Sequence, residues 1–218
     1  MGMVLSIAAV LVMRWWPPVT SAFMLEARLE ALAGGDSSLH LHHVWVDRDR
    51  ISPNVQLAVI ASEDQKFPFH HGFDFGSIQD AVREQEEGVR SRGASTISQQ
   101  TARTLFLLPV RSWIRKGLEA YLTVMIEQLW PKKRILEAYL NLVDWGDGIF
   151  GAQAAAQAYF GTDAASLDAA EAARLAAILP NPHRWKADHP GRYVRRRTGM
   201  LQGRSVMVMR DGLNFCLR

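Results

Sequence analysis

Glu63 and Asp64 close an apolar stretch of the chain, and Phe67, Phe69, His70, His71 and Asp74 follow closely. If that stretch is a helix, its C-terminus disfavours a negative charge and the aromatic neighbours desolvate it. Both effects raise a carboxylate's pKa, which suits a general base working near neutrality. A solvated glutamate at a helix end would have the same spacing, so both readings stand at this point. No HExxH pattern and no second histidine cluster at ligand spacing accompanies His70 and His71, which fits hydrogen-bonded structural roles better than metal binding. His40, His42 and His43 read as surface loop.

Gly93-Ala94-Ser95-Thr96-Ile97-Ser98-Gln99-Gln100 places small polar side chains and free backbone N–H groups at a predicted helix start. Such a terminus attracts anions. No Gly-Lys-Ser/Thr follows, so it is not a P-loop, and Ser95 lacks the G-x-S-x-G setting of a nucleophile elbow. Capping alone accounts for Ser95 and Thr96. Gln99 and Gln100 are different, because polar amides on a helix otherwise rich in Leu and Phe need partners, and Arg103 follows within a turn. Further on, Arg115 and Glu119 share a helix face at i,i+4 with Lys116 beside them. That trio reads either as a surface ion pair or as cations that bind phosphate while holding Glu119 ionised.

The elements that must carry these groups are mostly helical. Ser52-Pro53 predicts an N-cap followed by Pro at the first helical position. Thr96-x-x-Gln99 predicts a capping box opening a helix that runs to about Leu108, before Pro109. Leu118, Tyr121, Leu122, Met125, Ile126 and Leu129 recur at helical spacing up to Pro131, and Ile135, Tyr139 and Leu140 mark the next helix. Ala-rich helices follow near 151–158 and 168–179, the second opened by Asp168-x-x-Glu171. Residues 84–95 lose all apolar character and read as a surface loop. Val44-Trp45-Val46 is the one hint of a strand. The fold class is therefore mainly α, one compact domain over residues 26–218.

Residues 1–25 read as a membrane anchor. Met3 to Met13 are nearly all apolar, and Arg14-Trp15-Trp16-Pro17-Pro18 suits the interfacial belt of a bilayer. The apolar run is shorter than the roughly 20 residues a span requires. No A-x-A site follows, which favours an uncleaved anchor over a removed signal peptide. Across 218 residues, 25 Lys and Arg against 22 Asp and Glu leave only +3, which disfavours a dedicated nucleic-acid binder, although Lys132-Lys133-Arg134 and Arg195-Arg196-Arg197 are local basic patches. The single cysteine, Cys216, excludes an internal disulfide framework and a multi-Cys metal site.

Taken in order, EDQKFPFHHGFD (63–74), GASTISQQTAR (93–103), RKGLEAYLTVMIE (115–127) and KKRILEAYLNLVDWGDGIFGAQAAAQAYFG (132–161), with the helix at 167–179, resemble the peptidoglycan glycosyltransferases of glycosyltransferase family 51. The likeness is strongest to the monofunctional biosynthetic transglycosylases and covers roughly residues 45–200. It implies a lysozyme-like helical domain, a single-pass anchor in the inner membrane and a periplasmic catalytic site. The implied substrate is lipid II, polymerised into β-1,4-linked glycan strands with release of undecaprenyl diphosphate. No cofactor is implied as a requirement, although a divalent cation can accompany the diphosphate. The implied partners are lipid II, the growing strand and the inner membrane, with cell-wall synthesis or division proteins as candidate protein partners and no nucleic acid.

Position by position, the resemblance makes Glu63 the general base that deprotonates the acceptor GlcNAc 4-hydroxyl, and Glu119 the second essential glutamate. Arg115 and Lys116 match cations near the donor diphosphate. Ser95, Thr96 and Gln100 match positions that contact sugar and phosphate, and Asp64, Phe67, His70, Gly93 and Gln99 fall within the same substrate-binding motifs. Where the family usually has Lys-Asn, this chain has Arg103-Thr104. Arg keeps the charge and adds a planar fork, whereas Thr104 lacks the amide. Residues 205–218 follow no pattern of the family.

Physical reasoning favours transfer on its own account. A glycosidase expels a sugar alkoxide and needs a protonated carboxyl acid on that oxygen. A lipid diphosphate leaves as a stable anion, so cations matter more than an acid. The rival readings are a lysozyme-like enzyme that cuts glycan and a non-catalytic membrane-anchored scaffold for cell-wall proteins. No Ser-x-x-Lys transpeptidase signature occurs in these residues, so they are not expected to cross-link peptides themselves.

Overall fold

In the computed structural model, residues 2–34, 40–88, 93–109 and 112–210 are described. Short polar side chains start most of its helices. Ser21, Ser52, Asp74, Thr96, Ser112 and Asp168 each accept a backbone N–H in the first turn of α2 (Ala22–Ala33), α3 (Pro53–Glu63), α4 (Phe75–Glu86), α5 (Ile97–Phe106), α6 (Trp113–Leu129) and α9 (Ala169–Ile178). Each such cap satisfies a donor that the helix itself leaves orphaned. The remaining helices are α1 (Gly2–Val12), α7 (Lys132–Leu142), α8 (Ala152–Phe160) and α10 (Arg192–Arg210). The Ser52-Pro53 start and both capping boxes stand where they are predicted. The α5 helix ends at Phe106 rather than Leu108, and α6 begins at Trp113, well before its first periodic residue Leu118.

Two helix groups enclose the core. α3 is buried along its whole middle, from Val55 to Ala61, because α9 and α10 both pack against it. The small side chains of α9, Ala172, Ala173, Ala176 and Ala177, let those backbones approach closely. The second group is α5 packed between α6 and α7. Glu63 ends α3 and Gln100 lies on α5, so the joint between the groups is where the predicted chemistry falls.

Three expectations need correction. Val44-Trp45-Val46 is not a strand; the ladder is instead His42–His43 (β1), parallel to Ile149–Phe150 (β2), with His42 opposite Ile149. The backbone of Val46 is paired by a side chain, since Asn141 Oδ1 accepts its N–H and Nδ2 donates to its carbonyl, both at 2.9 Å. His42 and His43 are therefore sheet residues rather than surface loop, and His43 Nε2 meets the Asn141 carbonyl at 3.1 Å. Third, residues 84–86 belong to α4, a surface helix with no buried side chain, so its polar sequence reflects solvent rather than irregular backbone. Residues 89–92 of the expected loop, and Cys216, lie outside the described residues. The α8 helix is entered through Gly151 at φ +84, where a Cβ would stand 2.6 Å from the Asn141 carbonyl oxygen. Only glycine fits that crossing.

The amino-terminal segment is docked, not free. Trp130 Nε1 donates to the Val10 carbonyl at 2.7 Å, Arg14 Nη1 to that of Leu129 at 2.8 Å, and Arg134 Nη2 to that of Met13 at 2.8 Å. Val10 is fully buried, while Val4, Leu5, Trp15 and Trp16 on the outer side are exposed. At 11 residues α1 is about 16 Å long. Among the described residues no helix is long and apolar enough to cross a membrane. The boundary expected at residues 25 and 26 falls inside α2.

Candidate active site

Glu63 is the last residue of α3, and its side chain is 15% exposed. Both carboxylate oxygens accept hydrogen bonds. Ser62 Oγ donates to Oε1 at 2.8 Å and Gln100 Nε2 donates to Oε2 at 3.2 Å. Arg197, on α10, donates to Ser62 Oγ at 2.8 Å and stands 3.9 Å from Glu63 Oε1. Glu63 opens on a cleft of about 250 Å³ that Asp64, Gly93, Ser95, Thr96 and Arg204 also line. A carboxylate held this way at a cleft wall can take a proton from a bound hydroxyl.

Behind Glu63 the chain turns through a rigid loop. Asp64 is buried, and its Oδ2 accepts the Ile97 N–H at 2.9 Å, placing a negative charge on the first turn of α5. His70 Nε2 lies 2.9 and 3.0 Å from the two Asp64 oxygens, while the Gly72 N–H donates to His70 Nδ1 at 3.1 Å. Nδ1 is thus an acceptor and Nε2 carries the proton, which makes His70 a neutral donor to Asp64. The fully buried Phe67 meets the His70 ring edge-on with centroids 6.1 Å apart, and Lys132 Nζ lies 4.5 Å from the Phe67 centroid. Asp64, Phe67 and His70 therefore come together as one unit that fixes the end of α3 against the start of α5. Asp74 closes the loop by capping α4. Burial pulls its carboxyl upward, but hydrogen bonds from the Ser77 hydroxyl and amide and the Lys66 ammonium outweigh that and bring its pKa down to about 2.

On α5, Thr96 and Gln99 are both buried and bond reciprocally across the capping box, and Thr96 Oγ1 also donates to the Gly72 carbonyl at 2.7 Å. Gln100 is the amide that reaches the site. Its Nε2 faces Glu63 and, at 3.4 Å, the Ser95 carbonyl, while its Oε1 accepts from the Tyr139 hydroxyl at 3.2 Å. Arg103 is half-buried, and its Nε is buried with no hydrogen-bond partner among the described residues. Thr104 is buried.

The third group sits at the start of α6. Glu119 is 1% exposed and is held by Arg115 at 3.1 Å and by Lys116 on its other oxygen. The cations are less enclosed, with side chains 21% and 46% exposed. This trio does not line the cleft beside Glu63. The two carboxylates thus differ: one is open to the cleft and hydrogen-bonded, the other is buried and fully ion-paired.

Several groups here escape a reading by spacing. Tyr139 is hidden in an apolar periodicity, Arg197 in a basic run, and Ser62 in the helix that precedes Glu63. Glu127 is similar: it is buried under Ser98 and Lys132, with Lys132 Nζ 2.7 Å from Oε1. The one available signal was the family-like order of motifs, which places them without explaining them.

Comparison with known proteins covers the same stretch of chain. The Transglycosylase family model matches residues 34–205. A protein of Xanthomonas axonopodis pv. citri named biosynthetic peptidoglycan transglycosylase is 52% identical over 197 residues, covering 90% of this chain and 80% of the relative. Proteins of the same name from Chromohalobacter salexigens and Pseudomonas syringae pv. syringae are 54% and 52% identical, covering 91% and 90% of this chain and 84% and 83% of their own lengths.

Proposed function

The chain belongs to the transglycosylase family, and on that premise we propose that it polymerises lipid II into β-1,4-linked glycan strands, releasing undecaprenyl diphosphate. It is a peptidoglycan glycosyltransferase, and such an activity works outside the cytoplasm. The observation that carries the mechanism is the asymmetry between Glu63 and Glu119. Glu63 takes the proton of the acceptor 4-hydroxyl as that oxygen attacks the donor's anomeric carbon. The bond from that carbon to the diphosphate oxygen breaks, and its electron pair leaves with the lipid diphosphate. Direct displacement at an α-linked donor inverts the centre and gives the β product.

Charge develops on the leaving diphosphate, so fixed cations are the groups that lower the barrier. Arg103, Arg115 and Lys116 supply them, and Glu119 holds the latter two in place. With Arg115 and Lys116 on its two oxygens, Glu119 serves as an acceptor, which is unsuited to the acid role a glycosidase needs. Among the described residues no three His, Cys, Asp or Glu side chains group as a metal-holding set. Any divalent cation would enter with the diphosphate and be held by its oxygens.

We place the enzyme on the periplasmic side of the inner membrane. The support is an apolar outer surface: Trp15 and Trp16 beside the exposed side of α1, and Trp113 and Ile114, which are 92% and 78% exposed at the start of α6 next to Arg115. Aromatic residues beside cations are suited to the headgroup layer.

Purified protein incubated with lipid II is expected to yield polymer. Cleavage of preformed glycan with no reaction on lipid II would establish the lytic reading instead, and inertness toward both would establish the scaffold. A finer test concerns Arg103. Its half-buried place on α5, three residues after Gln100, supports a ligand role, and a charge-assisted phosphate contact is worth about 1.5–3 kcal/mol. Arg103→Ala is expected to raise the lipid II concentration needed for half-maximal rate by at least about tenfold, and Arg103→Lys to have a mild effect. An alanine variant with wild-type kinetics would remove Arg103 from the diphosphate site.

A further inference from the structure

The hold on Glu63 from the α5 side continues one residue further, into α7. The Tyr139 hydroxyl is 3.2 Å from Gln100 Oε1, and Gln100 Nε2 is 3.2 Å from Glu63 Oε2. We propose that Tyr139 is a positioning residue for the base: acting through Gln100, it holds the Glu63 carboxylate in the one orientation that faces an incoming hydroxyl. This rests on the glycosyl-transfer reading above.

The hydrogen-bond inventory makes the connection specific. A primary amide has two donors on nitrogen and an acceptor on oxygen. Here the two donors go to Glu63 Oε2 and the Ser95 carbonyl, and the oxygen goes to Tyr139. Flipping the amide would turn its oxygen toward a carboxylate and a carbonyl, and its N–H groups toward a hydroxyl. Tyr139 is 2% exposed, so its hydroxyl needs a protein partner, and among the described residues Gln100 provides it. Burial, reinforced by the nearby Glu63 and Asp64 charges and opposed by Arg103, pushes the phenol well above its usual range. The hydroxyl therefore keeps its proton to donate, while the Glu63 carboxylate and the Ser95 carbonyl, both acceptors, fix the sense of the amide. Packing accounts for the ring, which is buried on the same helix as the fully buried Ile135, Leu136 and Leu142. The hydroxyl is the part that core packing leaves unexplained.

Tyr139→Phe removes that oxygen and keeps the ring. Without the phenol, Gln100 loses the bond that fixes its side chain, and the Glu63 carboxylate gains freedom to turn. Removing one neutral hydrogen bond is expected to lower kcat for lipid II polymerisation by about two- to tenfold. KM should stay within about twofold, because Tyr139 is buried and does not line the cleft. Gln100→Leu is expected to lower kcat at least as far, and the double variant no further than Gln100→Leu alone, as for two residues acting in series. Wild-type kcat in Tyr139→Phe would overturn the proposal. So would independent losses that multiply in the double variant, which would mean that the phenol acts by some route other than Gln100. A merely structural hydroxyl would lower the melting temperature and leave kcat, measured below that temperature, unchanged. If Tyr139→Phe does not fold, Gln100→Leu keeps the question open to test, and normal kcat there would equally reject the relay. Failure of the wild-type protein to polymerise lipid II would instead sink the functional reading, which separates the two failures.

Discussion

Glu63→Gln is expected to cut turnover on lipid II by about 10²–10⁴-fold, the usual worth of a general base, while leaving folding and lipid II affinity close to wild type. The substitution keeps the size of the side chain and its place at the cleft. Ser62 Oγ and Gln100 Nε2 each donate to the carboxylate now, so the replacement amide can still accept from one of them, and its new N–H groups must turn from the other. At 15% exposure some of that mismatch can be met by water. The cost to stability should therefore be small compared with the loss of rate. Near-normal turnover in Glu63→Gln would show that another group is the base, and the assigned mechanism would fall even though the family stands.

Why helix caps are legible from the residues while the remote supports of Glu63 are not follows from distance along the chain. A cap is a bond between neighbours, so Ser52-Pro53, Thr96-x-x-Gln99 and Asp168-x-x-Glu171 announce themselves, and all three occur. Amides on an apolar helix also announce a need for partners, and Gln100 has three. What local pattern cannot say is who the partner is. Asn141 lies 95 residues from Val46 and satisfies its backbone in place of a strand, which is why a β-branched run there misleads. Arg197 lies 135 residues from Ser62 and reads as part of a basic patch, the commonest fate of an arginine triplet. Polar composition misled for the opposite reason at 84–86, because these residues are the last turn of α4, beyond Phe75, Ile78 and Val82, the apolar residues at helical spacing.

Glu119→Gln should also be severe, but by a different route, and the difference separates the two glutamates. Glu119 is 1% exposed with Arg115 and Lys116 on its two oxygens, so the variant removes a buried charge and leaves two cations facing an amide. Stranding a buried partner ordinarily costs about 3–5 kcal/mol. Here the cost to folding should be lower, because Arg115 and Lys116 are 21% and 46% exposed and can swing outward into water. That release is what harms function. The cations that would meet the diphosphate lose their fixed positions, and preorganisation is the larger part of such stabilisation. Lipid II affinity is therefore expected to fall together with turnover, in contrast to Glu63→Gln, where affinity holds. Added salt should weaken donor binding further in the variant, since outward-facing cations are screened more than enclosed ones. Measuring affinity and turnover separately for both variants decides the matter. If Glu119→Gln bound lipid II as tightly as wild type and lost only turnover, Glu119 would be acting on the reaction itself and not through Arg115 and Lys116.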